Sequence, residues 1–273
     1  MKDAGLIGVG RMGRAMARHL MAGGFPVTAC DSEGSARDEA ERLGATVADT
    51  PAAVAAASDV IFIAVGFDEE AASVCRGKEG VFAAARKGAV VVVNSTVSPE
   101  LVKALGREAV AAGLSLLDVP TARGRPAAEA GALLALVGGD AAVLESVRPM
   151  LATFCSDIAH LGDTGHGQVA KAINNLMLWI NSVGLMEAGR LAAGTGIDLP
   201  VLRDVLMKSS GRSWALENWD SVTFTWALKD MQLLLEMCDR AGESFPLTGL
   251  VKEQVKDARK SKLRGDAPGW TKT

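Results

Sequence analysis

The chain contains no tyrosine, three histidines and four cysteines in 273 residues. The absence of tyrosine excludes a phenolic side chain as a catalytic acid. The cysteines form no C-x-x-C pair, and with so few histidines they indicate no zinc site and no other metal centre. We therefore expect reduced, structural thiols in a cytoplasmic protein.

The chain also lacks an excess of basic charge and a long apolar run. Its formal net charge is -3 and its pI is about 5.7, so it has no basic field that would hold nucleic acid or an anionic membrane. No apolar run approaches the length of about 20 residues that spans a bilayer. The N-terminus also lacks the basic and then apolar pattern of a signal peptide. These absences favour a small-molecule partner over nucleic acid or a membrane.

The first part of the chain alternates short apolar, β-rich runs with alanine-rich helical runs. This alternation is typical of a parallel sheet that is covered by helices on both faces. Helix starts are marked by Thr50-Pro51 and Ser98-Pro99, each of which is a good N-cap followed by proline. The predicted strands are 5–9, 27–30, 60–65, 90–93, 114–119 and 133–137.

The strand signal ends near residue 162, and the remaining chain reads as helical. Residues 167–193 form one long segment that is apolar around most of its circumference, so we expect a buried helix. Further helices are predicted at 200–207, 226–241 and 247–262, followed by a tail that contains Trp270. The predicted fold class is α/β, with a doubly wound, Rossmann-type N-terminal sheet joined by the long helix to an all-α domain.

A glycine-rich segment lies directly after the first predicted strand. Gly8, Gly10 and Gly13 have the G-x-G-x-x-G spacing that lets a dinucleotide pyrophosphate approach a helix N-terminus. Asp31 ends the next strand, where its carboxylate would accept the ribose hydroxyls and repel a 2'-phosphate. Since Ser32 and Glu33 offer no arginine, NAD is favoured over NADP. The alternative is a glycine turn that serves helix-sheet packing alone.

Two polar residues stand out in the apolar helix 167–193. Lys171 and Asn175 are separated by four residues, which places them on one helical face. Burial is costly for a lysine that is neither paired nor used, and desolvation brings its pKa toward the range of proton transfer. Lys171 is therefore a candidate acid/base. The alternative is a lysine that extends to water at the edge of the helix.

Four ordered motifs together resemble the β-hydroxyacid dehydrogenase family, which includes 3-hydroxyisobutyrate dehydrogenases, tartronate semialdehyde reductases and sulfolactaldehyde reductases. The motifs are GLIGVGRMG at the start, Ser95-Thr96-Val97-Ser98-Pro99, the segment GHGQVAKAINN at 165–175, and Phe224 with Leu228-Lys229-Asp230. The segment 209–214 is similar to one in hydroxyisobutyrate dehydrogenases. The resemblance covers almost the whole chain.

The resemblance implies an NAD-binding domain at 1–162 and a helical substrate and oligomerisation domain at 163–273. It implies that Lys171 is the catalytic acid/base and that Asn175 binds the substrate beside it. The cofactor-binding residues expected are Gly8, Gly10, Arg11, Met12, Gly13, Asp31, Ser32, Val65, Thr96 and Lys229. The substrate-binding residues expected are Thr121, Ala122, Arg123, Gly124, Asn174, Arg212 and Lys229.

The chain departs from the family pattern in the substrate loop. Where the family has D-A-P-V-S-G-G, this chain has Ala122 in place of the serine and Arg123 in place of a glycine. The planar guanidinium of Arg123 offers a fork for carboxylate or sulfonate oxygens. The alternative is that Arg123 is a loop residue bound to a carboxylate between the two domains. Arg212 is a further anion contact or packs with Trp214 and Trp219.

The predicted function is an NAD-dependent oxidoreductase that interconverts a small, anionic 3-hydroxy acid and its semialdehyde or ketone. An imine reductase is one alternative, although such enzymes replace the lysine with aspartate or tyrosine. A non-catalytic NAD(H)-binding protein is the other alternative. The resemblance also implies a homodimer or homotetramer.

Overall fold

The structure, a computed structural model, describes residues 2–271. Its backbone contacts divide the chain between Lys171 and Ala172 into two compact units. This division lies within the long helix, whereas the sequence places the boundary between functional domains at 162 and 163. That functional boundary remains a prediction.

Strands and helices alternate along the first unit. Its strands are β1 (Ala4–Ile7), β2 (Val27–Cys30), β3 (Thr46–Val47), β4 (Val60–Ile63), β5 (Val90–Val93), β6 (Ser115–Asp118), β7 (Thr121–Ala122), β8 (Leu133–Val137) and β9 (Cys155–His160). Its helices are α1 (Arg11–Ala22), α2 (Gly34–Arg42), α3 (Pro51–Ala57), α4 (Asp68–Cys75), α5 (Val81–Ala84), α6 (Pro99–Ala111), α7 (Gly124–Ala130) and α8 (Ala141–Leu151).

The first six strands form one parallel sheet in the order β3-β2-β1-β4-β5-β6. The strand order reverses at β1, and ligands of such sheets bind at the carboxyl ends of the strands near this point. Strands β1, β4 and β5 are buried throughout because helices cover both faces. One apolar cluster lies on each face, and together they confirm the predicted doubly wound sheet.

One predicted strand lies in a different sheet. Residues 133–137 form β8, but β8 pairs with β7 and β9 in a separate three-stranded sheet. Its pattern is apolar because β8 is buried against the same cluster as the parallel sheet, so the sequence could not distinguish the two positions. Strands β3 and β7, which have two residues each, and the largely exposed β9 escaped prediction.

The predicted helix starts are confirmed. The Thr50 hydroxyl accepts a hydrogen bond from the Ala53 amide, and the Ser98 hydroxyl accepts one from the Leu101 amide, at 3.2 Å each. Proline occupies the first position of both helices, where a missing amide proton has no cost. The Ser98 cap sets the direction in which α6 leaves the carboxyl end of the sheet.

The long helix α9 (His166–Ala193) runs from the first unit into the second. The second unit continues with α10 (Leu199–Leu206), α11 (Trp214–Glu217), a 3-10 turn (Trp219–Ser221), α12 (Ala227–Ala241) and α13 (Pro246–Arg264). Within residues 163–271 no strand is present, which agrees with the predicted all-α region. No helix in the described part of the chain is both long and apolar enough to cross a bilayer.

The prediction that α9 is buried is wrong for one of its faces. Ile173 and Met177 are each 55% exposed, and Leu191 is 75% exposed. The opposite face, with Trp179, Val183 and Met186, lies in the core of the second unit. Composition around the helix is apolar on both faces, so the sequence does not say which face the single chain leaves open.

The predicted tail is packed against α9. Trp270 is fully buried, and its indole Nε1 donates to the Leu185 carbonyl at 3.1 Å. A Cβ at Gly189 would lie 2.3 Å from the Pro268 side chain, so glycine permits the tail to approach the helix this closely. The end of the described chain is therefore part of the second unit's core.

Candidate active site

The three glycines after β1 have different roles. A Cβ on Gly8, whose φ is +92°, would lie 2.5 Å from the Ala64 carbonyl oxygen, and one on Gly13 would lie 2.0 Å from the Gly8 carbonyl oxygen. These two glycines are required for packing. A Cβ on Gly10 would meet no described atom within 4 Å, although Gly10 caps α1 and supplies no side-chain acceptor. Packing does not explain Gly10, whereas a pyrophosphate at the helix N-terminus does.

The residues that follow Gly10 lie on the first turn of α1. Arg11 is exposed, and Met12 is half-buried against the core on the α1 side of the sheet. The amides of this turn have no side-chain cap, so they suit an anionic ligand. The contacts of Arg11 and Met12 with a cofactor remain predictions.

Asp31 joins the ends of β1 and β2. Its Oδ2 accepts a hydrogen bond from the Val9 amide at 2.6 Å, and its Oδ1 accepts one from the Glu33 amide at 3.0 Å. Each oxygen keeps a second lone pair, so the fixed carboxylate can still accept a ribose hydroxyl.

An arginine that the sequence did not reveal lies on the same loop as this carboxylate. Arg37 Nη1 donates to the carbonyl oxygens of Asp31 and Ser32, at 2.7 and 3.2 Å. Ser32 and Glu33 offer no arginine, as the sequence indicates, but α2 returns Arg37 to the end of β2. The available signal was an arginine six residues after Asp31, which lies on the first turn of α2.

The loop after β5 is bound to the loop after β4 and to α9. The Ser95 hydroxyl accepts from the Val65 amide at 2.8 Å and donates to the Ile63 carbonyl at 3.3 Å. The fully buried Gln168 side chain donates to the Ser95 carbonyl at 2.9 Å and accepts from the Val97 amide at 3.1 Å. These bonds hold the segment that contains Thr96 at the carboxyl end of the sheet.

The start of α9 is bound to the end of β6 by Asp118. This fully buried carboxylate accepts from the Gly165 amide at 2.7 Å and from the Gln168 amide at 2.9 Å. Burial raises the pKa of Asp118, and the hydrogen bonds from backbone amides oppose this shift. A Cβ on Gly167 would lie 2.4 Å from the Leu136 carbonyl oxygen, so the first turn of α9 packs directly on the strands.

Asp118 and Gln168 are positioning residues that the sequence analysis did not identify as such. Gln168 lies one helical turn before Lys171, and Asp118 ends β6. A glutamine in an apolar helix and a carboxylate at the end of a buried strand were available signals. The sequence could not reveal their partners, which lie 47 or more residues away.

Lys171 and Asn175 lie on the same face of the unbroken helix α9. Lys171 is half-buried, whereas Asn175 is buried with 4% of its surface exposed. Asn174 is exposed and donates from Nδ2 to Asn175 Oδ1 at 3.1 Å. The start of α9 therefore carries an ammonium group and a buried amide one turn apart.

Arg123 binds to a carboxylate of the protein. Its Nη1 lies 2.6 Å from Asp157 Oδ2 and 2.8 Å from Ser156 Oγ, and the hydrogen bond holds the pKa of Asp157 below its usual value. Arg123 has a φ of +82° and Gly124 has a φ of +69°, so the arginine adopts a left-handed conformation that favours glycine. Arg123 is therefore bound to a carboxylate, but this carboxylate lies on β9 of the same unit and not between the domains. The contact of Arg123 with substrate remains a prediction. The preceding residues, Thr121 and Ala122, form β7.

The predicted substrate residues of the second unit have local partners. Arg212 forms an exposed ion pair with Glu217 at 3.3 Å, and Lys229 Nζ lies 5.8 Å from the centroid of Trp226. Trp219 packs with Lys262, whose Nζ lies 3.9 Å from the ring centroid. Of the two tryptophans expected to pack with Arg212, Trp219 therefore has a different cation.

The cysteines are free, and Cys30, Cys75 and Cys155 are buried. Burial raises the pKa of Cys75 and of Cys155 to about 12. In residues 2–271 no group of three His, Cys, Asp or Glu side chains is placed to hold a metal ion. The described groups that are placed for chemistry are therefore those of the glycine loop, Asp31 and the start of α9.

A doubly wound sheet with an open glycine at the first helix and a carboxylate after the second strand defines an NAD-binding oxidoreductase domain. The NAD binding domain of 6-phosphogluconate dehydrogenase matches residues 3–162. The NAD-binding domain of NADP-dependent 3-hydroxyisobutyrate dehydrogenase matches residues 165–268. The chain belongs to the β-hydroxyacid dehydrogenase family, and it is an oxidoreductase that binds NAD, with NADP as a possible substitute.

Individual relatives agree with this assignment. The chain is 37% identical to 2-(hydroxymethyl)glutarate dehydrogenase of Eubacterium barkeri over 78% of this chain and 71% of the relative. It is 34% identical to NAD-dependent L-serine dehydrogenase of Pseudomonas aeruginosa over 80% and 73%. A solved structure of Mycobacterium tuberculosis 3-hydroxyisobutyrate dehydrogenase with L-serine is similar at a TM-score of 0.86 and 27% identity, over 98% of this chain and 96% of that one.

Proposed function

We propose that this protein oxidises a small 3-hydroxy acid to its semialdehyde or ketone, or catalyses the reverse reaction, with Lys171 as acid/base. The observation that carries the proposal is the placement of Lys171. It lies one turn after Gln168, on a helix start that is bound to the ends of β5 and β6. This is the edge of the sheet at which the glycine loop also lies.

Lys171 takes the hydroxyl proton of the substrate during oxidation and returns a proton during reduction. A bound nicotinamide cofactor supplies hydride acceptance at the adjacent carbon. Asn175, one turn further along the same face, orients the hydroxyl group, and its hydrogen bond from Asn174 fixes the amide. Gly10 and Asp31 hold the cofactor, in a turn whose close packing requires Gly8 and Gly13. Val65 and Thr96 lie on the loops beside it.

The substrate class is argued from chemistry that three relatives share. 2-(Hydroxymethyl)glutarate, L-serine and 3-hydroxyisobutyrate each carry a primary alcohol on the carbon next to the one that bears a carboxylate. An alcohol and an anionic group at this separation require a proton acceptor and a nearby cation. We propose Arg123 as the cation, with Lys229 and Arg212 as further anion contacts.

Arg123 can reach a substrate if it exchanges one partner for another. Its ion pair with Asp157 is solvent-accessible on both sides, with 38% and 56% of the two side chains exposed. Such pairs contribute little to stability, so a substrate carboxylate can compete for the guanidinium. The replacement of glycine by Arg123 is then the feature that sets this chain's substrate preference apart.

The proposal is tested by following NADH formation at 340 nm with a panel of hydroxy acids. The panel pairs NAD and NADP with 3-hydroxyisobutyrate, L-serine, glycerate, 2-(hydroxymethyl)glutarate, 4-hydroxybutyrate and sulfonated analogues. We expect turnover with at least one 3-hydroxy acid and a preference for NAD. Tight NADH binding without turnover of any member would favour a binding protein, and turnover of cyclic imines alone would favour an imine reductase.

We also propose that the chain forms homodimers or homotetramers through its second unit. Helix α10 has no buried residue, although Val201 and Val205 are apolar and more than half exposed. The open face of α9 adds Ile173 and Met177. Exposed apolar groups of this kind are typical of interaction surfaces.

A further inference from the structure

The side-chain oxygen of Asn94 is buried and has no hydrogen-bond donor in the described part of the chain. Among residues 2–271, Asn94 Oδ1 is the one buried side-chain oxygen or nitrogen without a hydrogen-bond partner. An unpaired buried acceptor costs free energy, so such an atom calls for an explanation by ligand, water or strain. Asn94 directly follows β5, at the carboxyl edge of the parallel sheet.

The orientation of the Asn94 amide is fixed by its other end. Asn94 Nδ2 donates to the Val119 carbonyl oxygen at 2.8 Å. Exchanging the oxygen and nitrogen of the amide would bring two acceptors together at this distance, so the exchange is excluded. Oδ1 is therefore the atom that needs a donor.

Neighbouring backbone donors are already engaged. The amides of Asn94 and Ser95 both donate to the Ile63 carbonyl oxygen, at 2.8 and 3.0 Å. The Val97 amide donates to Gln168. The loop thus directs its own donors elsewhere and leaves Oδ1 for an external donor.

The position in the sheet indicates which donor this is. Strand β5 lies two strands from β1, which is about 10 Å at the usual spacing of strands. The glycine loop places the pyrophosphate beside β1, and Asp31 places the adenosine half beyond β2, on the opposite side from β5. The nicotinamide half of a dinucleotide therefore extends toward β4 and β5.

We propose that Asn94 Oδ1 accepts a hydrogen bond from the carboxamide N–H of the bound nicotinamide. This bond selects the ring's rotational orientation, because the carboxamide has its donor on one side alone. Asn94 is then a cofactor-positioning residue at the reacting end of the dinucleotide. The inference rests on NAD binding by the first unit and is independent of the substrate and of Lys171.

The test compares three ligands by isothermal titration calorimetry on the full chain. NADH carries the carboxamide, reduced 3-acetylpyridine adenine dinucleotide carries a methyl ketone without N–H, and ADP-ribose ends before the ring. We expect wild-type protein to bind NADH about fivefold more tightly than the acetylpyridine analogue, which is the size of one neutral hydrogen bond. In Asn94→Leu, whose side chain branches in the same way but has no polar atom, this ratio should fall to about one while ADP-ribose binds as in wild type.

The possible outcomes distinguish the role of Asn94 from cofactor binding itself. An unchanged ratio in Asn94→Leu, with ADP-ribose binding intact, overturns the role of Asn94. Equal binding of NADH and its acetylpyridine analogue by wild-type protein overturns it without reference to any variant. Failure of wild-type protein to bind all three ligands would overturn the cofactor site itself.

Discussion

Asp31 and Arg37 place opposite charges at one end of the proposed cofactor site. The carboxylate is held by two backbone amides, and the guanidinium lies on the carbonyl oxygens of the same loop. A carboxylate favours the free ribose hydroxyls of NAD, whereas an arginine favours the 2'-phosphate of NADP. Cofactor choice therefore depends on which of the two groups faces the ribose.

Replacing the carboxylate should shift this choice. In Asp31→Ser, we expect the preference for NAD over NADP to fall at least tenfold, or about 1.4 kcal/mol, because repulsion of the 2'-phosphate is lost while Arg37 remains. The measurement is the ratio of dissociation constants for NADH and NADPH, from fluorescence titration.

The matched control is the double variant Asp31→Ser with Arg37→Ala. It should lose the affinity for NADPH that the single variant gains. If Asp31→Ser retains the wild-type ratio, then Asp31 does not set cofactor preference.

Residue-level predictions from sequence succeeded where the period of an element fixes the geometry. Lys171 and Asn175 share a face because any helix of this register brings residues four apart together. The partner of Arg123 could not be predicted, because Asp157 lies 34 residues later on β9, a strand that the sequence did not reveal. Arg37 was missed because its contact depends on the path of α2 back to β2.

At the scale of elements, the turn from β1 into α1 contains one glycine that packing requires, Gly13, and one that we propose for ligand binding, Gly10. Gly13 faces the Gly8 carbonyl oxygen, whereas Gly10 faces open space. Two alanine substitutions three residues apart therefore test different properties.

In Gly10→Ala, we expect the free energy of unfolding to change by less than about 0.5 kcal/mol, because the new methyl group meets no protein atom. NADH affinity should fall about tenfold or more, because the methyl group occupies the approach to the helix N-terminus. The measurements are thermal unfolding without ligand and calorimetric NADH titration.

Gly13→Ala is the control, and it should lose about 1–3 kcal/mol of stability through overpacking. The assignment of Gly10 to the cofactor would be wrong if Gly10→Ala bound NADH like wild type.

The attachment of α9 to the parallel sheet depends on Asp118. Asp118→Asn keeps the side-chain shape but leaves one buried amide of α9 without its acceptor. We expect a loss of about 1–3 kcal/mol in the free energy of unfolding at pH 7, measured by urea denaturation. The surface change Asp140→Asn, at the exposed cap of α8, should cost less.

The effect of Asp118 should also depend on pH. Because burial raises its pKa in the folded state, folded protein takes up a proton before unfolded protein does as the pH falls. The contribution of Asp118 to the free energy of unfolding therefore rises as the pH falls from the raised pKa of the folded state to 3.8, the ordinary pKa of the carboxyl group. Below that pH the contribution is constant. The difference between wild type and Asp118→Asn should widen on acidification, and a constant difference would contradict the charged state that we assign.

The sequence predicted elements well when all their faces are buried to a similar degree, and poorly when one face is buried and another is exposed. The central strands and the proline-initiated helices could be predicted because their local patterns match their environment. The position of β8 could not be predicted, because a strand buried in either sheet has the same apolar pattern. The open face of α9 could not be predicted, because apolar residues on both faces predict full burial.

For the whole molecule, the exposed apolar residues of α10 and α9 predict association between copies of the chain. Val201→Asp with Val205→Asp should shift the protein toward a monomer of 28.3 kDa in analytical ultracentrifugation, because two charges enter an apolar contact. Val110→Asp on α6, at an even more exposed position of the first unit, is the control and should leave the assembly unchanged. A wild-type protein that sediments as a monomer would contradict the prediction.

The central claim is that the glycine loop and Asp31 bind NAD and that Lys171 on α9 moves the proton. It is tested most directly by the turnover of Lys171→Met and Lys171→Arg with the best hydroxy acid of the panel. Arginine keeps the charge but stays protonated, so neither variant can accept a proton at working pH. We predict a loss of turnover of about 100-fold or more in both, with NADH affinity within about twofold of wild type. Turnover by Lys171→Met near the wild-type rate would contradict the assignment of Lys171 as acid/base.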